Sequence, residues 1–117
     1  MVNLQQACID SCLRCLRDCE RFLQACLQAP DADQRLKDEC MRACRDCIDI
    51  CNLCASLLMR RDELSASICD LCAVLCLRCS RCCQQLSRDV YAQQCAHSCK
   101  ECAQLCRERA GTVQRAG

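Results

Sequence analysis

The stretch CMRACRDCIDICNLC places Cys40, Cys44, Cys47, Cys51 and Cys54 at steps of 4, 3, 4 and 3. The rhythm recurs three times. It runs through Cys8, Cys12, Cys15 and Cys19, with Cys26 seven residues on. It runs again through Cys69, Cys72, Cys76, Cys79 and Cys83, with Cys82 alongside, and through Cys95, Cys99, Cys102 and Cys106. Alternating steps of 3 and 4 trace one face of an α-helix, whereas a strand would repeat every second residue. A stripe of thiols on a buried helix face is a set of soft ligands, and soft thiolates select Cu(I), Zn(II) and iron–sulfur clusters.

Other uses of the thiols fit less well. Neighbours at i, i+3 or i, i+4 have Cβ atoms roughly 5–6 Å apart, too far for the roughly 3.5–4.5 Å of a disulfide. Bridges between helices are open, but a core lined with thiols would have many ways to mispair. A purely structural role needs Cys as a small hydrophobe; a core of Cys in place of Leu underfills a bundle. Charge then separates the metals. A Zn(II)–Cys₄ site carries −2, and several buried side by side are costly to desolvate. Iron–sulfur ligation usually comes from compact loops. One Cu(I) per thiolate is neutral, so the spacing predicts a core filled with about one Cu(I) per Cys. Zinc or iron–sulfur binding and a thiol redox buffer are the alternatives; the last needs C-x-x-C pairs at exposed helix N-termini, and here they recur in mid-helix.

The elements that position these stripes can be read from breaks and caps. The expected helices are about 3–28, 32–60, 65–86 and 89–110, within ~2–4 residues at each end. Ala29-Pro30-Asp31 separates the first two, and Pro30 or Asp31 opens the second. Arg60 and Arg61 suit the last turn of helix 2, Asp62 or Ser65 caps helix 3, Ser87 or Asp89 caps helix 4, and Gly111 stops it. Asp10, Arg14 and Asp18, and likewise Asp38, Arg42 and Asp46, form i, i+4 ladders expected to face solvent. Short connections make this an all-α, antiparallel up-down-up-down four-helix bundle with a cysteine-lined core, in one domain of 117 residues.

Composition excludes several functions. Lys plus Arg is 16 and Asp plus Glu is 15, a balance that gives no reason to expect nucleic acid or an anionic membrane as partner. No apolar stretch could span a bilayer. The N-terminus, MVNLQQACIDSC, lacks the features of a signal peptide, so a cytoplasmic location is expected. One His, no phosphate-binding loop and no paired-carboxylate cleft leave little for acid–base chemistry, so no enzymatic activity is expected.

The blocks C-x₃-C-x₂-C-x₃-C, and especially CAHSCKECAQLC at 95–106, resemble the bacterial copper storage proteins, in their cytosolic branch. The resemblance implies a bundle that fills its core with Cu(I), assembles as a homo-tetramer and stores or sequesters copper without catalysis. It carries all twenty cysteines named above over as metal ligands. A copper chaperone or a small-molecule donor would deliver the metal.

Up-down topology sorts the ligands by height. Cys26, Cys40, Cys83 and Cys95 fall at an upper end; Cys8, Cys54, Cys69 and Cys106 fall at a lower end, where Leu4 and Leu58 could seal the core. Phe22, Leu23, Leu36 and Tyr91 lie near the upper end, together with the extra soft donors Met41 and Cys82. Members of the resembled family admit copper through one open end with additional donors, and the upper end is the expected door. Tyr91 is expected to plug the core one turn above Cys95. His97 turns about 200° away from Cys95 and Cys99 and is expected at the surface. Met41 and Met59 are expected as flank packing, and Cys82 as a flank ligand or a spare thiol.

Overall fold

The structure, a computed structural model, describes the backbone of residues 3–28 and 33–116. The helices are α1 (Leu4–Gln28), α2 (Gln34–Met59), α3 (Ser65–Gln84) and α4 (Val90–Ala116), and no strand occurs among the described residues. Each packs against two neighbours, α4 closing onto α1, while the diagonal pairs α1/α3 and α2/α4 keep their backbones apart. Cross-helix contacts fix the directions. Cys8 meets Cys106 and Cys19 meets Cys95; Cys44 meets Cys79 and Cys54 meets Cys69; the Gln5 amide donates to the Leu58 carbonyl. Neighbouring helices are therefore antiparallel, as the short connections require.

The ends of the helices follow local chemistry. Asn3 Oδ1 accepts from the Gln6 N–H at the start of α1. The Asp33 carboxylate accepts from the Leu36 N–H and caps α2. The break expected at Ala29-Pro30-Asp31 lies outside the described residues. Asp89 caps α4 through the Ala92 N–H, at 3.0 Å. Asp62 instead ties down the turn before α3 by accepting from the Leu64 N–H, and Leu64, the residue at the cap position, makes no side-chain cap bond. The α2–α3 corner, with no Gly or Pro, is closed by a Schellman motif: the Asp62 N–H bonds the Leu57 carbonyl and the Arg61 N–H bonds the Leu58 carbonyl. Arg61 takes the left-handed position, with φ 53°. Gly111 does not stop α4, which runs on to Ala116. A lone Gly costs a helix only about 1 kcal/mol relative to Ala, and Gly111 keeps a negative φ.

Packing brings the stripes together. Eighteen of the twenty cysteines are buried; Cys26 and Cys82 are half-buried. Beside the stripes sit buried alanines, among them Ala43, Ala55, Ala73, Ala96 and Ala103, each next in sequence to an inward cysteine. These small neighbours let the helices approach closely enough for short side chains to meet across the axis. The largest fully buried side chains are Phe22 and Leu58. Phe22 occupies the inward position between Cys19 and Cys26, and Leu58 the one beyond Cys54.

One charge on the expected solvent-facing ladders is inside. Asp18 is 2% exposed, held between α1 and α4 by the Ser98 hydroxyl, which donates to Oδ2. Arg17 and Arg21 approach the other oxygen at 3.5 and 4.0 Å from the rim. Asp18 directly precedes Cys19 and Ser98 directly precedes Cys99, so each is turned about 100° from its stripe toward the other helix.

Two outcomes follow. Arg61→Gly removes the Cβ strain of the left-handed corner and is expected to raise the urea midpoint, by about 0.5–1 kcal/mol of stability. Ser98→Ala leaves the buried Asp18 carboxylate without its hydroxyl donor and is expected to lower stability by about 1–3 kcal/mol in the same measurement.

Candidate metal centre

The inward thiols form a continuous column along the bundle axis. From the lower end, Cys8 and Cys106 lie 3.3 Å apart and Cys12 and Cys102 3.7 Å. In the middle, Cys15 is 3.4 Å from Cys47 and 3.3 Å from Cys99, and Cys47 is 3.4 Å from Cys76. Higher up, Cys19 meets Cys95 at 3.5 Å and Cys44 meets Cys79 at 3.5 Å. Sulfur also bridges the diagonals that the backbones leave open: Cys15 to Cys76 at 4.0 Å, and Cys47 to Cys99 at 3.8 Å. A disulfide would bring the sulfurs to about 2.05 Å, far closer than these contacts.

The thiols group into tetrads whose Sγ atoms all lie within 4.8 Å of one another. Cys12, Cys54, Cys72 and Cys106 form one, Cys15, Cys47, Cys51 and Cys76 another, and Cys19, Cys44, Cys79 and Cys95 a third. The tetrad Cys12, Cys51, Cys72 and Cys102 links the first two by shared corners; Cys15, Cys19, Cys47 and Cys99 links the second and third. Shared corners make the thiols bridging ligands, so the column is a chain of fused sites.

Shared protons set the electrostatics. Hydrogen bonding to Cys15 holds Cys19 and Cys99 well above the ordinary thiol range, and bonding to Cys102 does the same for Cys51 and Cys106, with burial adding to each. Their partners are drawn the other way: Cys102 is lowered first by Cys106, and Cys47 first by Cys15. Cys8 falls to about 5, chiefly through its bond with Cys106. Cys82 is pushed up to about 12, first by burial and then by its contact with Cys40. The column is thus a network in which some thiols are held protonated and donate, while their neighbours are drawn low and accept.

The ends differ from expectation in instructive ways. Tyr91 is 50% exposed and does not plug the core; α4 begins at Val90, and the inward position three residues before Cys95 belongs to Ala92, which is fully buried. Phe22 is the large fully buried side chain toward the upper end instead. Leu58 seals the lower end, with Ala110 buried on the α4 stripe, while Leu4 is only half-buried. His97 is 76% exposed and lies 3.9 Å from Glu101, so it is on the surface. Met41 packs against the core as expected. Met59 does not: as the last residue of α2 it is 56% exposed. Cys82 is no isolated thiol, for its sulfur lies 3.1 Å from that of Cys40. The 100° offset from Cys83 placed it off the stripe; which neighbour it meets depends on how α2 and α3 pack.

Sulfurs at this spacing suit a soft ion bound by two or three thiolates more than tetrahedral ions held singly, because each inserted ion can share its ligands with the next. Known proteins agree. The family model described as copper storage protein matches residues 1–111. A solved structure of the Cu(I)-bound copper storage protein BsCsp3 aligns with a TM-score of 0.85 and 31% identity, covering 92% of this chain and 99% of that one. The apo form of copper storage protein 3 from Bacillus subtilis aligns at 0.79 and 32%, covering 90% and 97%. A protein from Nitrosospira multiformis aligns at 0.82 and 29%, covering 93% and 96%. No curated protein sequence matches the chain. The chain belongs to the copper storage protein family.

Proposed function

We propose that the protein stores Cu(I) along the thiol column, at about one ion per cysteine, with all twenty cysteines as ligands. The observation that carries this is the sharing of corners between tetrads. A chain of fused sites favours ions that bring one positive charge for each thiolate. Cu(I) neutralises each thiolate it binds, so filling the column adds no net charge to a buried space. Zn(II) in the same tetrads would leave repeated anionic sites in low dielectric, at a desolvation cost. The role is storage and not catalysis: eighteen of the twenty cysteines are buried inside the bundle, and the one histidine is at the surface.

The setting follows from the same chemistry. A core lined with thiols is kept from oxidation in a reducing compartment, which supports a cytoplasmic location. A homo-tetramer is the assembly implied by the family resemblance, and exposed apolar side chains such as Leu53, Leu71 and Val74 offer surface for it. Copper reaches the protein from a chaperone or from a small-molecule donor. No helix among the described residues is long and apolar enough to cross a membrane.

The test is an anaerobic Cu(I) titration of the reduced protein against a chromophoric Cu(I) chelator. The chelator is expected to stay colourless until roughly one copper per thiol has been added, the count that charge neutrality sets. Loss to the chelator after a few equivalents contradicts storage. The same titration in weak buffer is expected to release protons as copper binds, from thiols such as Cys82, which a pKa pushed up to about 12 keeps protonated at neutral pH and well above it. The sign is fixed by that direction: a proton must leave before copper binds, so retention strengthens as pH rises and copper is shed progressively in acid. Loading is also expected to raise Tm by mass action with little change in helix content by circular dichroism.

A further inference from the structure

We infer that copper enters and leaves the column sideways, between α2 and α3, through a digonal transfer site formed by Cys82 and Cys40, and that its exchange partner is an anionic low-molecular-weight thiol complex of Cu(I). The inference rests on the storage reading. Three observations place the site. First, the largest fully buried side chains, Phe22 and Leu58, lie toward the upper and lower ends of the thiol stripes. Second, Cys82 is half-buried and contributes to the walls of two surface depressions, one of about 350 Å³ facing Glu39, Arg42, Ala43, Asp46 and Arg78. Third, its sulfur is 3.1 Å from that of the fully buried Cys40. Cys40 shares the α2 stripe with Cys44 one turn on, and Cys44 lies 3.9 Å from Cys83 within the column. A thiol reachable from solvent is thereby connected to the store through one buried intermediary.

The walls say what brings the copper. Arg42, Arg78, Arg81 and Arg107 line the two depressions against the carboxylates Glu39 and Asp46, and Asp46 is already paired with Arg78. The local field favours an anionic carrier over a bare cation. A Cu(I) bis-thiolate is such a carrier. Cys82 and Cys40 replace its two thiolates in turn, and each protein thiol gives its proton to the departing thiolate. Two free thiols leave, copper stays Cu(I), and the site carries the same single negative charge the donor brought. Cys83 then displaces Cys82 from the metal, its proton returning to Cys82, and the entry thiol is ready for the next ion. Release is the same sequence in reverse.

The experiment measures loading of the reduced full chain from a Cu(I)–glutathione complex by stopped-flow ultraviolet absorption, with total copper counted at the end. Ligand exchange depends on access to the attacking thiol, so Cys82→Ser is expected to slow loading by about tenfold or more. Its final copper count should fall by no more than about the one ion that Cys82 itself accounts for. Loading of Cys82→Ser at the unaltered rate overturns the lateral route and sends copper past Phe22 or Leu58. A low copper count in the unaltered chain overturns storage itself, so the two failures are distinguishable. Arg81→Glu, on an exposed position, is expected to slow loading from Cu(I)–glutathione several-fold at low salt, with the effect fading as salt screens it. No slowing, or equal slowing with the cationic Cu(I)–acetonitrile complex as donor, overturns the anionic carrier.

Discussion

The structure depends on one distance. Sulfurs from four helices approach to between 3.1 and 4.0 Å, too far to be bonded and too close to be separate sites. Every other feature either produces that spacing or follows from it. Alternating steps of 3 and 4 keep the thiols on the inner face of each helix. Buried alanines beside them bring the helices in, so that sulfur bridges the diagonals as well as the edges of the bundle. A leucine on the same stripe would fill the axis and push the helices apart. Cysteine leaves the axis lined and shareable.

Such a core gives up packing, because sulfur is a small side chain and each underfilled position forfeits dispersion contacts. The chain compensates at the rim and the ends. Phe22 and Leu58 supply bulk where the thiol column stops, and the Asp18–Ser98 contact locks α1 to α4 beside it. The Ser80 hydroxyl, also fully buried, does the same for α3 and α4 by donating to the Ala96 carbonyl at 2.7 Å. These fastenings lie off the thiol stripes, which keeps the column free of oxygen and nitrogen donors that would compete for a soft metal.

Much of this was legible in the residues. The stripes, their helical period and the offset of Cys82 from Cys83 follow from spacing alone, and so does the outward turn of His97. The features that were not legible depend on facing elements. Asp18 reads as one rung of a solvent ladder with Asp10 and Arg14 until α4 is set against it and Ser98 covers it. Tyr91 reads as a plug because it lies four residues before Cys95 in a helix expected from about 89; in the first turn of α4, with Asp89 as the cap, Ala92 takes the inward place instead. Gly111 reads as a stop by its type, yet a single glycine is too weak a signal to end a helix whose neighbours continue it. Arg61 in the left-handed corner carries no residue-type signal at all, since Gly or Asn is the usual occupant. Period and face are encoded locally; pairing and termination are not.

The sharing of thiols between neighbouring tetrads is tested most directly by X-ray absorption at the copper edge on the loaded protein. A first shell of sulfur alone is expected, with resolved copper–copper vectors at short range, because adjacent ions must bridge through common thiolates. Isolated copper ions without copper neighbours, or a shell containing nitrogen or oxygen, would contradict a fused sulfur column.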